Sequence, residues 1–165
     1  MGYIKTAQQE YEEAILAFQK ATQLDRLFAK AYEAMGHAYK ALGENDKAQE
    51  CFQSAADIYI GKEKMQEAEE VLYEILQISP GSVNVFNSLG VLYRKKGDLK
   101  AALSQYRKAL KVHPKQPHIY YNIGRLYFEL KRVSEAKSHF QKALMLDPDF
   151  QEAKEVLEAI ELGRL

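Results

Sequence analysis

Apolar and small residues recur along this chain at separations of three and four, the period of an amphipathic helix. In "FNSLGVLYRKKGDLKAALSQYRKALKVHP" (Phe86–Pro114) they fall at Gly90, Tyr93, Ala102, Tyr106 and Ala109. In "YYNIGRLYFELKRVSEAKSHFQKALMLDP" (Tyr120–Pro148) they fall at Gly124, Tyr127, Ala136, Phe140 and Ala143, at the same offsets. The polar breaks "KKGD" and "ELKR" divide each stretch in two. Each stretch therefore predicts two antiparallel helices joined by a short turn. Pro80, Pro114 and Pro148 stand 34 residues apart. Proline cannot continue a helix, so each marks an end, and the fixed interval marks an internal repeat.

The same skeleton extends upstream. Residues 29–62 carry it at Tyr32, Met35-Gly36, Tyr39, Ala48, Phe52 and Ala55, with Ile60 where proline is expected. Residues 10–26 read as the second helix of an earlier repeat, through Ala14, Phe18 and Ala21. Gly2 then falls at the glycine position, and the chain is expected to begin inside that repeat's first helix. At the other end, Ala153, Val156, Leu157 and Ile160 form a stripe and Glu152, Glu155, Glu158 and Glu161 face elsewhere. That predicts a capping helix within 151–165 with a solubilising outer face.

The register slips once. Gly36 and Gly90 lie 54 apart, where two periods would give 68. Residues 49–82 also fit a repeat, through Phe52, Ala56, Tyr59, Ala68, Leu72, Ile75 and Pro80. The repeats 29–62 and 49–82 thus share one helix, about 45–60, followed by another at about 64–78 with Gly61 near the break. Apolar residues almost all round the C-terminal half of the shared helix suit burial on several sides.

The small residues have a mechanical purpose. A glycine or alanine lets a partner helix come close, and bulk on the other helix fills the space beside it. Gly124 with Ala136 and Gly90 with Ala102 are the expected points of closest approach, with Tyr127 and Phe140 as the matching bulk. One helix pair cannot bury its apolar face alone, so pairs stack.

This combination of aromatic, Leu-Gly, Tyr, Ala, Phe, Ala and Pro over 34 residues resembles the tetratricopeptide repeat (TPR) family. The match is close at 83–116 and 117–150. The resemblance implies an all-α, right-handed superhelical solenoid of antiparallel helix pairs, read as a single array over 1–165. It implies a non-catalytic scaffold or adaptor that binds an extended protein or peptide segment in a concave groove. The alternative is a self-assembly module within a larger protein. First helices of the family line the groove, which implies Asn84, Asn87, Val91 and Arg94 from one repeat. His118, Tyr121, Arg125 and Phe128 follow from the next, and Lys30, Glu33, His37 and Lys40 from 29–62. The candidate peptide-binding set is Asn87, Val91, Arg94, His118, Tyr121, Arg125 and Phe128. Its two arginines suit an acidic or C-terminal segment, unless they pair with nearby glutamates such as Glu129. A TPR subclass grips the C-terminal carboxylate of heat-shock chaperones through Lys and Asn four apart, a further Asn, then Lys and Arg four apart. That pattern is not met: His118 and Asn122 stand where the last pair is needed.

Composition narrows the remaining classes. Twenty-three Lys and Arg balance twenty-three Asp and Glu, so the net charge is zero. No excess positive charge favours nucleic-acid backbones or anionic membranes, and neither is expected as a partner. No apolar run approaches the roughly 20 residues of a membrane span. Cys51 is the only cysteine, so no internal disulfide can form, which fits a reducing, cytoplasmic setting. Met1-Gly2-x-x-x-Thr6 formally fits an N-myristoylation pattern, but the repeat register accounts for Gly2. His37, His113, His118 and His139 offer no ligand pair spaced three or four apart, so no metal or other cofactor is expected. Cys51 has no evident base beside it and reads as a packing residue. The tyrosines at 32, 39, 59, 93, 106, 120 and 127 occupy packing positions. No catalytic constellation emerges. An N-terminal edge short of its first helix is expected to leave part of the Ile15–Phe18 face uncovered and to promote association between copies.

Overall fold

The computed structural model describes residues 2–164, with side chains described from Gln9 onward; the reading of Met1 and Gly2 as a lipidation or motif site lies outside the described side chains. Among the described residues there are nine α-helices and no strand. They are α1 (Gly2–Leu24), α2 (Ala29–Ala41), α3 (Asn45–Gly61), α4 (Met65–Ile78), α5 (Val83–Lys95), α6 (Leu99–Val112), α7 (Pro117–Glu129), α8 (Val133–Leu146) and α9 (Gln151–Glu161). The chain forms two compact units, Met1–Val85 and Phe86–Leu165.

In the first unit α1 packs on α2, α2 on α3 and α3 on α4. The core runs through Ala31, Met35, Phe52, Ala55, Ala56, Leu72 and Ile75, all buried. Helix α3 touches both neighbours, and Phe52, Ala55, Ala56, Tyr59 and Ile60 are all buried along its second half. In the second unit α6 packs on α7, α7 on α8 and α8 on α9. Ala136 and Phe140 of α8 are fully buried with Leu157 of α9. Ala143 is likewise buried with Phe150 and Ala153.

One expectation about the N-terminus fails. No turn separates a first-helix remnant from the segment 10–26: α1 is one helix from Gly2 to Leu24. The position equivalent to the turn glycine Gly43 is Gln9, within "AQQEYEE", where strong helix formers favour continuing the helix. Ile15 is covered, at 5% exposure, but Leu16 beside it is 58% exposed, so part of the Ile15–Phe18 face is open. Among the described residues of this end, the large apolar ones left exposed are Tyr11, Leu16, Leu24, Leu27 and Phe28.

The four turns within helix pairs share one geometry. The amides of Glu44, Lys64, Asp98 and Arg132 each donate to the carbonyl of Tyr39, Tyr59, Tyr93 and Tyr127, at 2.9 Å in every case. The residue just before each donor is left-handed: Gly43 (φ 77°), Glu63 (59°), Gly97 (81°) and Lys131 (61°). This is the six-to-one closure of a Schellman motif, which satisfies a terminal helix carbonyl. Helix α3 ends at Gly61, near the expected break, and the left-handed residue that reverses the chain is Glu63.

The close approaches also differ in their partner. A Cβ placed on Gly124 would lie 2.6 Å from Phe140 Cε1, and one on Gly36 would lie 2.6 Å from Phe52. At Gly90 the nearest atoms are those of the Tyr106 ring. The aromatic of the second helix, rather than Ala102 or Ala136, is what presses on the glycine. Tyr127, expected as bulk, is half-buried and stacks near His139 at 5.1 Å.

Candidate functional site

All seven candidate residues belong to the second unit, on α5 and α7. Helix α5 presents Asn87, Val91 and Arg94 at separations of four and three, so they share a face. Helix α7 presents His118, Tyr121, Arg125 and Phe128 by the same spacing. Pro117 opens α7, where its fixed φ suits the first turn.

The two helices meet through polar contacts. Asn122 Nδ2 donates to Asn87 Oδ1 at 2.8 Å. One further pair, Arg94 and Glu129, forms an ion pair with the Arg94 side chain only 13% exposed. Both contacts span 35 residues, one repeat plus one. The partners Asn122 and Glu129 therefore belong to the face as well. Asn122 stood outside the candidate set, although an interval of one period plus one could have found it.

Beneath this face lies Tyr106 of α6, fully buried. Its hydroxyl and Arg94 Nε are buried without a hydrogen-bond partner. Burial pushes the Tyr106 phenol up to about 12, against the opposing pull of the Arg94 charge.

The other residues divide into two groups. Arg125 is exposed, with its guanidinium 5.8 Å from the Tyr121 ring centre. Val91 is half-buried. His118 is exposed but meets the Phe150 ring edge-on at 4.7 Å. Tyr121 lies 5.6 Å from Phe140 and 5.1 Å from Phe150. Phe128 packs against the cluster of Ala136, Phe140 and Leu157. Tyr121 and Phe128 thus spend much of their surface on α8, on α9 and on Phe150 between them, while His118 touches Phe150 and stays exposed. What remains at the surface is exposed Arg125, the half-buried amides of Asn87 and Asn122, and the Glu129 carboxylate that pairs with largely buried Arg94.

The corresponding positions of the first unit are largely engaged within the chain. Glu33 accepts from the Tyr59 hydroxyl at 2.7 Å. Lys40 bonds Glu74 at 2.7 Å and Gln77 at 2.9 Å, both on α4. His37 meets Phe52 edge-on at 5.0 Å. Lys30 is exposed. No group of three or more His, Cys, Asp or Glu is placed to hold a metal among the described residues. No helix among them is long and apolar enough to cross a membrane.

A family model described as the tetratricopeptide repeat protein 21 C-terminal ARM domain matches residues 41–160. The chain belongs to that family. A TPR repeat model matches residues 2–43 of this tetratricopeptide chain as well. No curated protein matches the sequence. Among solved structures, a Thermus thermophilus TPR protein, TTC0263, is similar with 19% identity and a TM-score of 0.63, over 98% of this chain and 95% of that one. YrrB, a TPR protein described as having an unusual peptide-binding site, is similar with 21% identity and a TM-score of 0.61, over 94% and 88%. The first TPR of Spaghetti (RPAP3), bound to the HSP90 peptide SRMEEVD, is similar with 20% identity and a TM-score of 0.63, over 70% and 94%. At these identities the likeness establishes the fold, an all-α tetratricopeptide solenoid.

Proposed function

We propose that this tetratricopeptide chain is a non-catalytic protein-interaction module that binds an extended peptide along the face shared by α5 and α7. Family membership and peptide-bearing structural relatives support the general class. The observation that carries the finer reading is the Asn87–Asn122 pair with exposed Arg125 one turn further along α7. A carboxamide both donates and accepts, as an extended peptide backbone requires. Arg125 adds a fork that suits a carboxylate, from an acidic side chain or a chain terminus. Arg94 contributes by pairing with Glu129, so the free guanidinium is Arg125. In the accompanying repeat division, α3 serves both 29–62 and 49–82, with 83–116 and 117–150 as the regular repeats.

A peptide-display selection against the folded chain tests this, followed by affinity measurement with Asn87→Ala and Arg125→Glu. Selected peptides should be acidic, and both variants should weaken binding at least tenfold with unchanged melting temperature. Selected peptides that bind both variants as tightly as the parent chain overturn the assignment.

A second reading, association between copies through the N-terminal edge, draws on exposed Leu16, Leu24 and Leu27. Exposed apolar surface favours association. Light scattering across a concentration series with Leu16→Glu and Leu27→Glu tests it. Scattering that shows a monomer throughout, or a variant that associates like the parent, rejects that edge.

A further inference from the structure

The zero net charge conceals a segregation of charge within the second unit. Helix α6 carries Lys100, Arg107, Lys108 and Lys111 and no carboxylate. At 100° per residue these four, with Ser104, fall on one face, and all are exposed. Several cations outside α6 have local acidic partners: Lys47 with Glu44, Lys64 with Glu67, Arg132 with Glu135, and Lys154 with Asp149. Lys108 is 5.8 Å from the Phe86 ring centre. Lys100, Arg107 and Lys111 have no acidic partner among the described residues.

The face is also grooved. Lys100, Ser104 and Lys108 form one row at intervals of four, and Leu103, Arg107 and Lys111 form the next. These six residues line a recess of about 410 Å³. Its floor and walls come from one helix, so it is too shallow to enclose a small molecule. A groove between two rows of this spacing is instead the surface that receives a ridge of another helix.

The same chain supplies such a ridge with the opposite charge. On α9, Glu152, Glu155, Glu158 and Glu161 recur every three residues, and all are exposed. Glu155 and Glu158 stand opposite the buried Ala153–Leu157 stripe, with Glu152 and Glu161 flanking. A ridge of interval three entering a groove between rows of interval four is the near-parallel class of helix packing, crossing at about 20°. The cationic row spans about 16 Å and the glutamate row about 14 Å. With no net charge, copies do not repel one another at long range.

We propose that the outer face of α6 docks helix α9 of a second copy, with Lys100, Arg107, Lys108 and Lys111 meeting its four glutamates. The contact is electrostatic and weak, with a dissociation constant of about 1 mM or weaker, the ceiling that four exposed ion pairs can supply. It uses a different surface from the peptide face and from the apolar N-terminal edge. Salt separates it from the edge: ion pairs are screened, whereas apolar association is not.

The test is sedimentation equilibrium and backbone amide NMR on the full chain up to about 2 mM, in about 20 mM and 500 mM salt. At low salt, resonances of α6 and α9 should shift together with concentration. At high salt the association should fall at least tenfold. The variants K100E/R107E/K108E/K111E and E152K/E155K/E158K/E161K should each be monomeric, and their equimolar mixture should associate again. The milder pair K100E/K111E and E152K/E161K replaces them if circular dichroism shows lost helix. An unmodified chain that stays monomeric at low salt overturns the proposal. So does association indifferent to salt, which belongs to the apolar edge, or a charge-swapped mixture that stays apart.

Discussion

Replacing Gly124 by alanine isolates the contact on which each regular helix pair turns. A Cβ there meets Phe140 Cε1 at 2.6 Å and Cδ1 at 2.7 Å. Carbon atoms rest at about 3.5–4.0 Å, so the overlap approaches 1 Å. Phe140 is fully buried, with Ala136, Leu157, Tyr121 and Phe128 around it, so its ring has nowhere to retreat. Overpacking of this kind costs about 1–3 kcal/mol. Alanine is itself the better helix former by roughly 1 kcal/mol, which offsets part of that cost. The net expectation is a loss of up to about 2 kcal/mol, seen as a lowered melting temperature. The control is Gly61→Ala, at the end of α3, where nothing lies within 4 Å of a new Cβ and no positive φ is required. By propensity alone it should stabilise by up to about 1 kcal/mol. Adding Phe140→Leu to Gly124→Ala should cost less than the sum of the two single changes, because the smaller side chain vacates the contested space. Thermal and urea unfolding of the parent, the three single variants and the double variant supply the comparison. A Gly124→Ala protein that melts at or above the parent, or strict additivity with Phe140→Leu, would refute the close-contact account.

Lys131→Gly should stabilise by about 1 kcal/mol, since glycine adopts the left-handed turn without a Cβ penalty; urea midpoints that fall instead contradict the turn geometry. Tyr106→Phe should be neutral or stabilising by up to about 1 kcal/mol, because it removes a buried hydroxyl with no partner, and phenylalanine already fills the equivalent positions 52 and 140. A loss beyond that range in the same assay would show that the hydroxyl is satisfied. Burial raises the Cys51 thiol from 9.0 to about 11, and Glu50 adds to the shift. A raised value stabilises the fold fully below the unfolded value and loses that contribution as pH climbs through the folded one. Cys51 and Tyr106 together therefore predict stability unaffected by these groups up to about pH 9, then falling toward pH 12, which urea midpoints against pH would show. Cys51 should also resist a thiol reagent at pH 8 until the chain is unfolded; rapid labelling of the native protein would contradict its burial.

The 34-residue interval, the helical period and the recurring Gly and Tyr positions made the repeat legible from the sequence, because these are local demands. A helix face must be apolar at three and four, and a left-handed turn must follow at a fixed distance. The continuity of α1 was legible only in hindsight: the absence of a glycine near Gln9 mattered more than the presence of one at Gly2. Which atom presses on Gly124 was a tertiary fact, because sequence periodicity shows that two helices approach but not the rotamer that fills the gap. The same limit applies to the candidate site. The spacing placed Asn87, Arg94 and Arg125 on suitable faces. It did not determine that Arg94 would pair with Glu129, or that Phe150 would take up Tyr121 and His118. Those outcomes depend on where neighbouring helices bring their side chains across a gap, at separations of 35 residues or at the far end of the same repeat. The sequence determined which residues are available to each face; only packing between helices decided which of them are spent on the fold and which remain free for a ligand.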